Sequence, residues 1–140
     1  MKLYFAYGSN MWEAQMKQRC PQSKKLGTAR LPGYRWIISA RGYANVVKSK
    51  DDEVEGVLYL ISDSDENSLD KHEGVASGAY RKATLPVAGP QGEEEALVYV
   101  DPVTEEGVPK KEYIKRINSG LADARLSPEY VTYVRKFIPA

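Results

Sequence analysis

The chain has 140 residues, 42% of them hydrophobic and 28% charged, with 20 basic residues against 19 acidic ones and a net charge of +1. That balance predicts a single domain, 1–140, with one core of useful size, and it leaves no global field to attract nucleic acid or an anionic membrane. A lone cysteine, Cys20, forms no intrachain disulfide and fits a reducing compartment, and one Cys with one His (His72) leaves too few ligands for a Cys/His zinc site.

In chain order, Leu3 to Tyr7 reads as a short aromatic strand. This apolar run is too short for the hydrophobic region of a signal peptide or a membrane span, so a cytoplasmic protein without a membrane partner is expected. Gly8-Ser9-Asn10 breaks the strand, and Met11 to Arg19 reads as a helix capped by Ser9 or Asn10 and ended by Pro21. Strands follow at Gly27–Leu31, Arg35–Ser39 and, more weakly, Ala44–Lys48, with Pro32-Gly33 as the turn between the first two. Val54 to Ile61 is almost continuously apolar, as in a central strand buried on both faces.

Ser62 to His72 reads as a helix with Ser62 and Asp65 in capping-box spacing. Tyr80–Val87 and Ala96–Val100 are expected strands, and Asp101 to Pro109 a loop that could close over a site. Lys110 to Ala124 repeats Tyr113, Ile114, Ile117, Leu121 and Ala124 at helical spacing. Ser127-Pro128-Glu129 opens a last helix with an apolar face of Tyr130, Val131, Val134, Phe137 and Ile138. Strands outnumber helices and cluster mid-chain. An α+β fold with a mainly antiparallel or mixed sheet is therefore expected, closed into a small barrel that removes exposed edges.

Two constellations stand out. At "YGSN", Tyr7 to Asn10, a glycine at a strand–helix junction permits positive φ or close approach, and successive N–H groups there suit an anion or oxyanion. Capping explains the same letters. The other is Glu73 in "LDKHEGVASGAY". It lies four residues after Leu69, roughly on the same helix face, and Gly74 then stops the helix. Burial there would raise its pKa and suit it to proton transfer near neutral pH, although taken alone the letters also fit an exposed glutamate. His72 points about 100° away and reads as a surface histidine. Cys20 has no activating histidine. Lys17, Arg19, Lys24 and Lys25 read as a solvated face. Ten tyrosines could line a pocket as readily as fill a core.

Together "LYFAYGSN", "EVEGVLYLI", "LDKHEGVASGAY" and "EYIKRINSGLADARLSPEYVTYVRKF" resemble the γ-glutamylcyclotransferase family, in order and over nearly the whole chain. The resemblance implies a small mixed β-barrel core with flanking helices and no metal or organic cofactor. It implies an active-site glutamate at Glu73 and a substrate-binding loop over Tyr4, Phe5, Ala6, Tyr7, Gly8 and Ser9. It also implies a pocket tyrosine at Tyr113, with Tyr80 near the pocket. The implied reaction splits a γ-glutamyl amide, a small-molecule substrate, into 5-oxoproline and an amino acid or amine. A γ-glutamylamine cyclotransferase and a non-catalytic module binding a γ-glutamyl metabolite are the alternatives, and either a monomer or a homodimer fits. "YGSN" lacks the Gly-Lys-Ser/Thr ending of a phosphate loop, which argues against a nucleotide. The chain departs from the family at Arg125, where a glycine is expected, and at Asn118 and Ser119, where smaller apolar residues are expected. These departures bear on the pocket wall.

Overall fold

The computed structural model describes residues 1–140. In chain order the elements are β1 (Lys2–Ala6), a 3-10 turn (Ser9–Met11), α1 (Glu13–Arg19), β2 (Lys24–Ile38), β3 (Ala44–Ile61), α2 (Asp63–His72), β4 (Arg81–Gly89), β5 (Gly92–Val100), α3 (Lys111–Ala124) and α4 (Pro128–Val134). The strands close into a barrel in the order β1-β3-β2-β4-β5. Every pairing is antiparallel except the closing one, β5 with β1, where Tyr4 faces Leu97 in parallel register. The sheet is thus mixed; β1 pairs only with Val57–Ile61 of β3, so Ala44–Gly56 is strand-paired on one side alone, to β2.

The barrel differs from its sequence-based expectation in the lengths of its strands. The segments 27–31 and 35–39 are parts of one strand, and so are 44–48 and 54–61. Pro32-Gly33 makes a bulge, not a turn: the β2–β3 register shifts between Pro32 and Tyr34, and Gly33 takes φ +80°. Pro32 sits at an exposed strand position opposite Glu53, where the bulge tolerates its missing N–H. The polar middle of β3, Lys48 to Glu53, extends out of the core and so carries no apolar alternation. Val54 to Ile61 is buried almost throughout, as its composition requires.

A cluster of 33 buried residues fills the barrel and the space beneath the helices. Trp36, 1% exposed, donates its indole N–H to the Tyr7 carbonyl at 2.9 Å and so ties β2 to the end of β1. Helix α2 begins with the expected capping box, Ser62 and Asp65 bonding each other's backbone N–H. Helix α3 buries Tyr113, Ile117, Gly120, Leu121 and Ala124, and α4 buries Tyr130 and Val134 behind the Ser127 cap. Ser9 and Asn10 do not cap α1, whose N-cap is Trp12. Their side chains bond Gln15 instead. The loop 101–109 is tied to the barrel: Gly107 N–H donates to the Ile38 carbonyl, Ala40 N–H to the Glu105 carbonyl, and Asn45 to the Asp101 and Val103 carbonyls.

The departure at Arg125 has a local cause. Arg125 is the C-cap of α3 at φ 55°, the one non-glycine residue with positive φ in the chain. Left-handed backbone costs a side-chain-bearing residue about 1 kcal/mol or more. Arg125→Gly is therefore expected to raise stability by ~0.5–1 kcal/mol, read as a melting temperature a few degrees higher. Asn118 bonds the Pro139 carbonyl and Arg135, holding the C-terminal segment, and neither it nor Arg125 borders the cavity described next.

Candidate active site

A cavity of about 370 Å³ opens beside the end of β1, of the size that takes a small molecule. Its walls come from five places: β1 with the turn after it (Tyr4, Tyr7 to Asn10), the end of α1 (Arg19), the β2–β3 turn (Arg41, Tyr43, Ala44), the segment after α2 (Glu73, Gly74, Ala79, Tyr80) and α3 (Glu112, Tyr113, Arg116). With Tyr99 from β5, six of the ten tyrosines line it, and Tyr4, Tyr7, Tyr80, Tyr99 and Tyr113 belong at the same time to the buried core.

Helix α2 ends at this cavity in a Schellman motif. Val75 N–H donates to Asp70 and Gly74 N–H to Lys71, while Gly74 takes φ +66°. Glu73 is the C-cap, with α-helical backbone and its N–H on the Leu69 carbonyl at 2.8 Å. Leu69 is fully buried one turn earlier, which anchors the helix end and turns Glu73 inward. Asp70 reinforces this end by accepting from the Tyr99 hydroxyl at 2.7 Å and from Lys82.

Burial pushes the Glu73 carboxyl up to about 7, with Arg19 and Arg41 opposing and no hydrogen bond contributing. Its anion is costly, and it faces the cavity without a partner. Because the folded value exceeds the ordinary 4.5, the native state holds the extra proton. Stability is then greatest below about 4.5 and declines as pH rises through about 7. Above pH 7, Glu73→Gln is expected to be more stable than the wild type by up to ~3 kcal/mol, converging with it near pH 4.5, as thermal melts at several pH values would show.

Around Glu73 the hydroxyls are held in place. Tyr80 donates to the Ala44 carbonyl at 2.7 Å and Tyr7 to the Tyr99 carbonyl at 2.5 Å. The Tyr113 oxygen accepts from the Ala44 N–H at 3.3 Å, and its ring stands edge-on to Tyr43 at 5.1 Å. Burial raises the Tyr4, Tyr7, Tyr80 and Tyr113 hydroxyls well above the ordinary tyrosine range, so all four are neutral donors. Gly8 has φ −119°, so its role is close approach: a Cβ there would lie 2.9 Å from the Tyr113 oxygen.

Of the residues expected from sequence, Tyr4, Tyr7, Gly8, Ser9, Glu73, Tyr80 and Tyr113 meet at this cavity. Phe5 and Ala6 do not line it. Both are buried in the core, Phe5 at 0% and Ala6 at 1% exposure. Arg19 corrects the expectation of a solvated basic face: it is half-buried, borders the cavity and donates to Asn10 Oδ1 at 3.1 Å. Asn10, 2% exposed, also donates to the Tyr4 hydroxyl. Arg41, Tyr43, Tyr99 and Arg116 also line the cavity, each from a turn or face whose sequence pattern reads as ordinary packing or surface. His72 is exposed at the rim, bonded to the Ser68 carbonyl. Cys20 is fully buried, and burial with nearby Asp65 pushes its thiol up to about 12.

The family model described as "Gamma-glutamyl cyclotransferase, AIG2-like" matches residues 4–120. The gamma-glutamylcyclotransferase of Homo sapiens is 32% identical over 148 aligned residues, covering 98% of this chain and 79% of that protein. The Bos taurus gamma-glutamylcyclotransferase is likewise 32% identical, over 91% of this chain and 74% of its own. A solved gamma-glutamyl cyclotransferase superposes with a TM-score of 0.88 at 31% identity, covering 99% of this chain and 89% of that one. YkqA from Bacillus subtilis superposes with a TM-score of 0.85 at 30% identity, over 96% of this chain and 53% of its own.

Proposed function

The chain belongs to the gamma-glutamyl cyclotransferase, AIG2-like family, and on that footing we propose that it is a cyclotransferase cleaving a γ-glutamyl amide into 5-oxoproline and a free amino acid or amine, with Glu73 as its acid/base. Supporting this reading is one observation: a carboxyl raised to about 7 by burial stands unpaired in a cavity that also presents the Tyr7-Gly8-Ser9 turn.

In a γ-glutamyl compound the α-amine and the γ-carbonyl belong to one molecule, so attack closes a five-membered ring. Holding the substrate folded converts its flexibility into effective molarity. The amine arrives as an ammonium and has no lone pair until it loses a proton. Glu73 takes that proton and returns one to the departing nitrogen, which a group of pKa near 7 does in both directions. Negative charge gathers on the carbonyl oxygen, and neutral donors around it (the Tyr113 hydroxyl, the N–H groups of Gly8 and Ser9) stabilise it or hold the α-carboxylate. A reducing, cytoplasmic setting suits the buried, unpaired Cys20 thiol.

The dependence of kcat/KM on pH tests the assignment. The reactive pair, Glu73 carboxylate with substrate ammonium, holds one shared proton. Activity is therefore expected to rise through about 7 as Glu73 ionises and to fall at higher pH as the ammonium is lost. An acidic limb near the ordinary carboxylate value, or none, would remove Glu73 from this role. A panel of γ-glutamyl-alanine, γ-glutamyl-lysine and glutathione, scored for 5-oxoproline, identifies the leaving group. A pure binder would hold one of these ligands without product. In such a binder Glu73 would serve only to pair the ligand's α-ammonium.

A further inference from the structure

The geometry points to Arg41 as the specificity-determining residue of the cyclotransferase reaction: its free guanidinium edge receives the carboxylate of the leaving amino acid. The inference rests on the cyclotransferase reading and goes beyond it, since it fixes what must stand on the far side of the scissile amide.

The cavity presents three guanidiniums and two carboxylates. Glu112 is spent on Arg116 at 2.8 Å. Glu73 is the match for the substrate's ammonium. Arg19 and Arg41 remain, and they stand on different walls. Arg19 projects from the end of α1 and donates to Asn10, beside the Tyr7-Gly8-Ser9 turn where the γ-glutamyl head is held. It has no carboxylate partner of its own. Arg41 lies across the cavity's lining in the β2–β3 turn, against the segment that follows Glu73. A γ-glutamyl amino acid carries two carboxylates; Arg19 and Arg41 both border the cavity with N–H groups left over, although Arg41 already pairs through Nη1 with Asp101. A γ-glutamylamine offers the remaining edge of Arg41 no acceptor.

Arg41 is also built to receive a planar anion. A guanidinium has five N–H donors in a fixed fork. Both of its protein hydrogen bonds leave from Nη1, to Asp101 Oδ2 at 2.7 Å and to the Ala79 carbonyl at 3.1 Å. The Nε–Nη2 edge therefore keeps its N–H groups side by side, the arrangement that pairs bidentately with a carboxylate. Asp101 is fully buried, accepts also from Val103 N–H and Ser39, and cannot move away. The Arg41 guanidinium further lies over the Tyr80 ring, 5.7 Å from its centroid. Held at three points, it loses little freedom when an anion binds.

The test compares γ-glutamyl-alanine with γ-glutamyl-ethylamide, which differ only by the leaving group's carboxylate, with γ-glutamyl-alaninamide as a control for size. The wild type is expected to favour γ-glutamyl-alanine by at least ~30-fold in kcat/KM, which at 1.4 kcal/mol per tenfold is about 2 kcal/mol. Arg41→Met should collapse that ratio to below about threefold, an effect of the order of one lost charged hydrogen bond. Arg41→Lys keeps the charge over Asp101 but not the fork, so it should retain an intermediate ratio near tenfold, which decides the matter if the Met variant fails to fold. Arg19→Met should lower kcat/KM for all three compounds together and leave the ratio standing. Equal cleavage of all three by the wild type, an undiminished ratio in Arg41→Met or Arg41→Lys, or a ratio that collapses in Arg19→Met would each overturn the assignment while the cyclotransferase reading stands. No 5-oxoproline from any compound would remove that reading, and the inference with it.

Discussion

Glu73→Gln is expected to lower kcat by at least ~10³-fold while changing the affinity for a γ-glutamyl ligand by less than about tenfold. The amide matches the carboxyl in shape, so the cavity and the Leu69-anchored helix end persist. It cannot accept the amine's proton, so the lone pair that must attack never forms. The loss corresponds to roughly 4 kcal/mol of transition-state stabilisation. Affinity suffers less because the wild-type carboxyl, at about 7, is only part-ionised near neutral pH, and the amide oxygen of the variant still accepts a hydrogen bond from the ammonium. Single-turnover assays with calorimetry on the same preparation separate the two effects. Full activity in this variant would dismiss Glu73. A loss of binding that accounts for the whole drop would make Glu73 a ligand anchor and not a base.

Gly8→Ala is the second large effect. The added Cβ would stand 2.9 Å from the Tyr113 oxygen and 3.4 Å from the Ala44 Cβ. Tyr113 cannot swing clear: its ring is buried against Tyr43 and its oxygen is held by the Ala44 N–H. Either the turn or the α3 tyrosine must shift. Overpacking of this kind costs ~1–3 kcal/mol in stability. Misplacing donors by even part of an ångström is expected to cost about 10²-fold in kcat/KM. In the double variant Gly8→Ala/Tyr113→Phe, the obstructing oxygen is gone, so stability should return while activity stays low. Wild-type kinetics in Gly8→Ala would mean that the turn and Tyr113 do not act together.

The parts of this molecule that were legible in the chain are those written by local rules. Ser62 and Asp65 announce their capping box, Val54 to Ile61 its burial, and Ser127-Pro128 its helix start, because each depends on neighbours in sequence. Barrel closure between β5 and β1 joins residues 93 positions apart at Tyr4 and Leu97, and no local pattern encodes it. The bulge at Gly33 hid for a related reason. Pro-Gly is also a turn signal, and only pairing with the far end of β3 decides between them. In the site, Glu73 was readable because Leu69 and Gly74 frame it within five residues. Arg19 read as surface because its neighbours Lys17, Lys24 and Lys25 are exposed. Its side chain turns inward to donate to Asn10, whose place before α1 reads locally as a cap. Arg41 gave no signal at all, since its partners, Ala79 and Asp101, lie 38 and 60 residues away.

The most direct test of the central claim is to incubate the protein with γ-glutamyl-alanine and quantify 5-oxoproline, alanine and glutamate together. Ring closure by the substrate's own amine predicts 5-oxoproline and alanine in equal amounts, with no glutamate above the uncatalysed background. Glutamate appearing with the alanine would mean that water attacks the γ-carbonyl and the protein is a hydrolase. Ligand bound but unchanged would make the Glu73 cavity a receptor.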